Sequence, residues 1–267
     1  MKHPNLKPYI AILAGGGGTR LWPKSTKSMP KQFLNLFSKR TLLQETYARV
    51  AVLTDSDRIF VISSEKYKHE ILAQLPDMQE ENLVIEPEPK STAAAIGLAA
   101  LIIAERDPGA VMHIITSDDY VGEVDIFQKV LVTASIIAEQ TEDFVLWGVV
   151  PTRPAAEYGY IQSGEELQEV KGFPVFRVKG YKEKPTVATA QAYIATGKYF
   201  WNTCKFSQRA RVMLQGISEH MPELYEGLQR IRQSLGTNAY EKVLSEEFAK
   251  LESVPIEYGV MEHVQNA

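Results

Sequence analysis

Short apolar runs alternate with longer amphipathic stretches along the chain. Residues 9–14, YIAILA, carry no charge, are too few for a helix, and break at once into Gly15, Gly16, Gly17 and Gly18. That pattern predicts a buried parallel strand ending in a glycine turn. Residues 41–53 put Leu42, Leu43, Tyr47, Val50 and Ala51 on one helical face, and residues 58–63 read as a second strand. A helix over 66–75 stopped by Pro76 and a strand over 82–86 stopped by Pro87 follow. Next come an Ala-rich helix opened by Ser91 and Thr92, a strand over 111–116, an amphipathic helix over 125–140 and a strand over 144–150. Residues 209–250 are helical in pattern, with breaks at Pro222 and 236–238. Strands that alternate with helices imply a parallel sheet wound with helices.

Composition narrows the classes. With 267 residues, 45% of them hydrophobic, the chain can bury a large core as one or two domains. A formal charge of -4 disfavours nucleic acid as a partner, because such binding needs many cations on one face. The most apolar window, 93–104, is far shorter than the roughly 20 residues of a membrane span, so no membrane partner is expected. The lone Cys204 forms no internal disulfide, and the N-terminus lacks the apolar core of a secretory signal, so the expected compartment is cytoplasmic.

The glycine turn carries the chemistry. Residues without a Cβ let backbone N–H groups close on an anion, so Leu13, Ala14, Gly15, Gly16, Gly17, Gly18, Thr19 and Arg20 are candidate nucleotide contacts. Neither a Walker loop nor a dinucleotide fingerprint fits, since Thr19 and Arg20 stand where Lys or a third Gly is required. Arg20 and Lys31, with Lys24 and Lys27 between Pro23 and Pro30, supply cations for phosphate, and Arg20 and Lys31 are the candidate catalytic pair. A flexible loop with solvated lysines is the plainer alternative; the strand that leads into the glycines speaks against it. The strand over 111–116 delivers Ser117, Asp118 and Asp119 at its carboxyl end, where a carboxylate is placed to hold Mg²⁺ or simply to make a turn. The turn from Glu86 to Ser91, Thr92 and Ala93 should flank the glycines as a base pocket, or be only a helix cap. Glu183 can accept from sugar hydroxyls and Lys184 can neutralise a sugar phosphate, unless the pair is solvated surface. Gly159 fits either a bulge or close backbone approach to a sugar.

Residues 15–34, GGGGTRLWPKSTKSMPKQFL, resemble the signature of sugar-nucleotide pyrophosphorylases, and LWP and SMPKQF look like the bacterial mannose-1-phosphate guanylyltransferases within them. The resemblance implies a Rossmann-like, GT-A-like nucleotidyltransferase fold: mixed α/β, with a mostly parallel sheet flanked by helices. It also implies one domain over 1–267 with a helical insertion at about 207–252. The implied reaction transfers GMP from GTP to mannose-1-phosphate, with Mg²⁺, giving GDP-mannose and pyrophosphate.

Motif by motif, the family's EP..RNTAPAI matches Glu86 onward with Lys90, Ser91 and Ala94 at its Arg, Asn and Pro; its S-D-H puts the metal on Asp118, with Asp119 at the His. PT.P.TGYGYI matches at Gly159, F-x-E-K-P at Tyr181, Glu183 and Lys184, and WN(S/T)GMF at Trp201 and Asn202, the last a sugar contact. Cys204 and Lys205 depart from that last motif, and PIEYGVMEH departs from the family's SIDYAVMEK at Glu257 and His263. The family's later W-x-D-x-G, source of a second metal ligand, is absent from the sequence, so that ligand is unassigned and only the transferase core is expected. A nucleotide-binding regulatory paralogue or shortened remnant with little turnover, or a pyrophosphorylase for another sugar-1-phosphate, are the alternative readings. Oligomeric state is open, a homodimer included.

Overall fold

Residues 7–16, 21–26 and 28–264 are described by a computed structural model. Strands β1 (Tyr9–Leu13), β2 (Ile59–Ser64), β3 (Leu83–Glu86) and β4 (Val111–Thr116) form a parallel block in the order β3-β2-β1-β4. These are the apolar runs of the sequence, unbroken because both faces of a parallel sheet are covered. Successive side chains of β1 point to opposite faces. Ile10 and Ile12 pack with Leu43, Tyr47, Ile71 and Leu131 on one side, while Tyr9 and Ala11 join Ile96, Leu98, Met213 and Phe248 on the other.

The first layer is built by α1 (Leu42–Ala51), α2 (Lys68–Gln74) and, across the next crossover, α4 (Val124–Gln140); α3 (Ser91–Arg106) lies on the opposite face. Helix α1 opens on a capping box, with Thr41 Oγ1 accepting from Gln44 N at 3.2 Å and Gln44 Oε1 accepting from Thr41 N at 3.0 Å. Helix α3 departs from expectation. Neither Ser91 nor Thr92 caps it: Ser91 takes a left-handed φ of 65°, and Thr92 Oγ1 instead accepts from Ile256 N at 2.8 Å. With Ala93 N donating to Val254 O at 3.1 Å, the start of α3 is sewn to the last described segment.

Beyond β4 the sheet turns antiparallel. β5 (Val145–Val149), β6 (Gly159–Val170) and β4 all pair with β8 (Tyr199–Arg209), and β7 (Phe173–Lys182) closes the edge on β6. The β6–β7 hairpin was not anticipated; only Gly159 to Ile161 of β6 are buried, and the polar remainder carries no apolar alternation. Helix α5 (Val187–Thr196) follows the hairpin. The break expected at Pro222 is present, and the proline sits at the first position of the helix that follows it: α6 (Ala210–His220) gives way to α7 (Pro222–Ser234), then α8 (Tyr240–Lys250). A π-helical turn at Glu257–Met261, also unanticipated, packs on α6. Among the described residues no helix is long and apolar enough to cross a membrane.

Candidate active site

The carboxyl ends of β1, β2, β3 and β4 meet at one mouth. At the end of β1, Ala14 N donates to Ile62 O at 2.8 Å, while Ala14 O accepts from Ser63 Oγ at 3.0 Å and from Gln32 Nε2 at 2.8 Å. Gln32 Nε2 also reaches Gly16 O at 3.1 Å, so one side-chain amide ties the glycine turn to the Lys31–Phe33 turn that follows Pro30. Gln32 is buried and was not singled out from sequence; its place in SMPKQF, between Lys31 and a core Phe33, was the available signal. Gly17, Gly18, Thr19, Arg20 and Lys27 lie outside the described residues.

Glu86, at the tip of β3, faces the same turn. A Cβ on Gly15 would stand 3.3 Å from Glu86 Oε2, so the missing side chain is what leaves room for the carboxylate. Glu86 is buried, its Oε1 has no hydrogen-bond partner among the described residues, and burial pushes its carboxyl up to about 7. A buried acceptor left bare is costly unless a ligand supplies a donor.

At the end of β4, Ser117 docks on β1, its N and Oγ donating to Leu13 O at 3.1 and 2.7 Å. That junction places Asp118 so that its Oδ2 lies 3.2 Å from Lys31 Nζ, at the open side of the mouth. Asp119 turns elsewhere: Thr116 Oγ1 donates to its Oδ2 at 2.6 Å, and Lys205 of β8 pairs with the same oxygen. Burial opposes charge on Asp119, but the charge and hydrogen bond of Lys205, the Thr116 hydroxyl and the charge of Lys31 outweigh it and hold the carboxyl below its ordinary range.

On the β8 side, Gly159 pairs with Asn202, and a Cβ there would fall 2.4 Å from Glu183 Oε2 and 2.6 Å from Tyr181 OH. The space is used by a relay: Asn202 Nδ2 donates to Tyr181 OH, which donates to Glu183 Oε2 at 3.0 Å, and Lys184 Nζ holds Glu183 Oε1. Burial, then the charges of Glu183 and Glu257, push the Tyr181 hydroxyl well up. Gly159, Glu183, Lys184 and Asn202 are therefore brought together, and Tyr181, read only as a replacement for Phe, is the link among them. Trp201 is core, donating from Nε1 to Tyr160 OH at 3.0 Å. Burial, then the Glu257 charge and hydrogen bond, push the Cys204 thiol up, which disfavours the thiolate that a nucleophile needs.

The Asp118 carboxylate offers a hard cation oxygen ligands, and it is half open to solvent beside a loop cation. Among the described residues no group of three His, Cys, Asp or Glu side chains could cage a metal. One carboxylate with substrate phosphates as the other ligands suits Mg²⁺, which keeps waters and phosphate oxygens rather than an all-protein cage.

The chain matches the nucleotidyl transferase family model over residues 10–246. It is 34% identical to a mannose-1-phosphate guanylyltransferase of Sinorhizobium fredii over 272 aligned residues, covering 100% of this chain and 52% of that protein. To the mannose-1-phosphate guanylyltransferase of Escherichia coli it is 32% identical over 98% of its own length and 55% of the relative's. The crystal structure of a Thermus thermophilus mannose-1-phosphate geranyltransferase superposes with a TM-score of 0.83 at 33% identity, over 98% of this chain and 72% of that one. The chain thus spans about half the length of the curated relatives it matches.

Proposed function

Because the chain belongs to the nucleotidyl transferase family, we propose that it transfers GMP from GTP to mannose-1-phosphate, giving GDP-mannose and pyrophosphate. An oxygen of the sugar phosphate attacks the α-phosphorus of GTP, and the bond from that phosphorus to the β-phosphate bridging oxygen breaks as pyrophosphate leaves. The attacking phosphate is already ionised at neutral pH, so no general base is needed and catalysis reduces to positioning and charge neutralisation.

The single observation that carries this reading is the Lys31–Asp118 contact at the edge of the glycine turn, which joins a loop cation to a strand-end carboxylate where a triphosphate would lie. Lys31, with Arg20, neutralises phosphate oxygens in the ground state and the charge that moves onto pyrophosphate. Asp118 is the residue that would hold Mg²⁺, which when bound supplies further charge neutralisation at the α-phosphate. Glu86, with its bare Oε1, accepts from the N1–H and N2–H₂ of guanine, and the missing Cβ of Gly15 leaves that carboxylate its place. Asn202 and Glu183 orient the sugar hydroxyls through the Tyr181 relay, and Lys184 holds the sugar phosphate.

Pyrophosphate release from GTP plus mannose-1-phosphate tests the proposal. Asp118→Ala should lower it about a thousandfold, as the loss of several kcal/mol of charge stabilisation implies. GTP bound without mannose-1-phosphate-dependent pyrophosphate release would refute it in favour of a regulatory nucleotide-binding protein. Release with other sugar-1-phosphates in preference would change the substrate but keep the reaction.

A further inference from the structure

Asp118 and Asp119 are chain neighbours whose carboxylates have different partners. Asp118 Oδ2 faces Lys31, and its side chain is 42% exposed. Asp119 Oδ2 is held by Thr116 and by Lys205, a lysine only 7% exposed whose ammonium also reaches Thr116 Oγ1 and Thr203 O, both at 3.2 Å. All three donors of that ammonium are thereby used inside the protein. Arg49, buried with its guanidinium 5.1 Å from the Phe127 ring centre, adds its charge to the surroundings of Asp119. A divalent cation approaching Asp119 would meet a fixed ammonium on the oxygen it needs, and repulsion between them is strong at so short a range. Asp119 and Lys205 lie 86 positions apart in sequence, and each departs from the motif it resembles; the two departures carry opposite charges and meet on one oxygen.

We propose that Lys205 reserves Asp119 as its own ion-pair partner, so that of the two strand-end carboxylates Asp118 alone takes the divalent metal, and that Lys205 thereby sets the metal affinity of the site. The proposal rests on reading Asp118 as the metal ligand. It differs in sign from a purely structural role: if Lys205 only braced the turn, its loss would loosen Asp118 and weaken metal binding. Removing Lys205 instead frees a second carboxylate beside the first, and affinity for a hard cation rises with the charge of its ligand set.

The experiment is Mn²⁺ binding to the full, nucleotide-free chain, read as free Mn²⁺ by electron paramagnetic resonance, with circular dichroism to verify the fold. Lys205→Met should bind Mn²⁺ roughly tenfold more tightly than the parent, in line with the gain of one carboxylate ligand. Lys205→Gln, which keeps a donor but no charge, should shift the same way, and adding Asp119→Asn to either should restore the parent affinity. Asp119→Asn alone should bind Mn²⁺ no more tightly than the parent, since it frees no ligand and uncovers the Lys205 charge. Unchanged or weaker binding in folded Lys205 variants, or tighter binding in Asp119→Asn, overturns the proposal. Asp118→Asn is the separate control: if it leaves parent Mn²⁺ binding intact, the metal reading itself fails, whereas its loss of binding with no gain in the Lys205 variants defeats only the inference.

Discussion

The two sides of the mouth are made of different material. On the glycine-turn side the described surface is backbone from Ala14 to Gly16, pinned from beneath by Ser63 and Gln32, rooted in strands buried on both faces and edged by the Glu86, Lys31 and Asp118 side chains. On the Gly159 side the surface is a string of side chains, Asn202 to Tyr181 to Glu183 to Lys184, carried on half-exposed antiparallel strands. Backbone on a rigid sheet suits a ligand part common to many substrates, such as a triphosphate; side chains that hold one another suit selection among sugars, because each can be changed without disturbing the fold.

Adding one methyl group to each side sharpens the contrast most. Gly159→Ala must displace Tyr181 OH and Glu183 Oε2 from 2.6 and 2.4 Å, whereas Gly15→Ala meets Glu86 Oε2 at 3.3 Å. Gly159→Ala should raise the KM for mannose-1-phosphate about a hundredfold, since a misplacement near 1 Å costs on that order, and the overpacking should cost about 1 to 3 kcal/mol of stability. Gly15→Ala should weaken GTP binding far less, and steady-state kinetics with each substrate varied in turn would reveal an inverted order.

A second comparison uses pH. Burial raises the Glu86 carboxyl from 4.5 to about 7 in the folded chain, so the folded protein holds this proton more tightly than the unfolded one. The stabilisation this gives is fully present below the unfolded value and is lost as pH rises through about 7. The form that accepts from guanine is the ionised one, so GTP affinity should rise about tenfold from pH 6 to pH 8 by linkage. Glu86→Gln should flatten that slope; calorimetric titration of GTP across the range checks it. No comparable slope is expected for sugar phosphate beyond the ionisation of the ligand itself.

The smallest expected effect is on the pins. Gln32→Ala leaves the carbonyls of Ala14 and Gly16 short of a donor, with Ser63 still serving Ala14. A loss of about 1 to 2 kcal/mol in urea unfolding is expected for one such buried amide. A change confined to the KM for the sugar phosphate would break the division between the two sides.

Strand β4 and the edges of β2 and β3 were legible to within a residue or so because each is a continuous apolar run, and α1 because Leu42, Leu43, Tyr47, Val50 and Ala51 recur at helical spacing. Asp118 could be placed for the same reason: a strand that must be buried delivers whatever follows it to the carboxyl edge. The β6–β7 hairpin gave no such sign, since its length is held by pairing with β8 and with itself rather than by an apolar face. Ser91 and Thr92 looked like a cap because those residue types often are; the segment at Val254 to Ile256, more than 150 positions away, competes for the same groups and wins.

Local pattern therefore determined the parallel block, the strand that leads into the glycines and the carboxylates delivered at its carboxyl edge, because burial on a strand is a property of a few consecutive residues. Tertiary structure alone decided partners. It set Lys31 on Asp118, Lys205 on Asp119, Gln32 under the turn and Tyr181 between Asn202 and Glu183, because a charge or an amide finds its counterpart across the fold and nothing in its neighbours along the chain says which one it will meet.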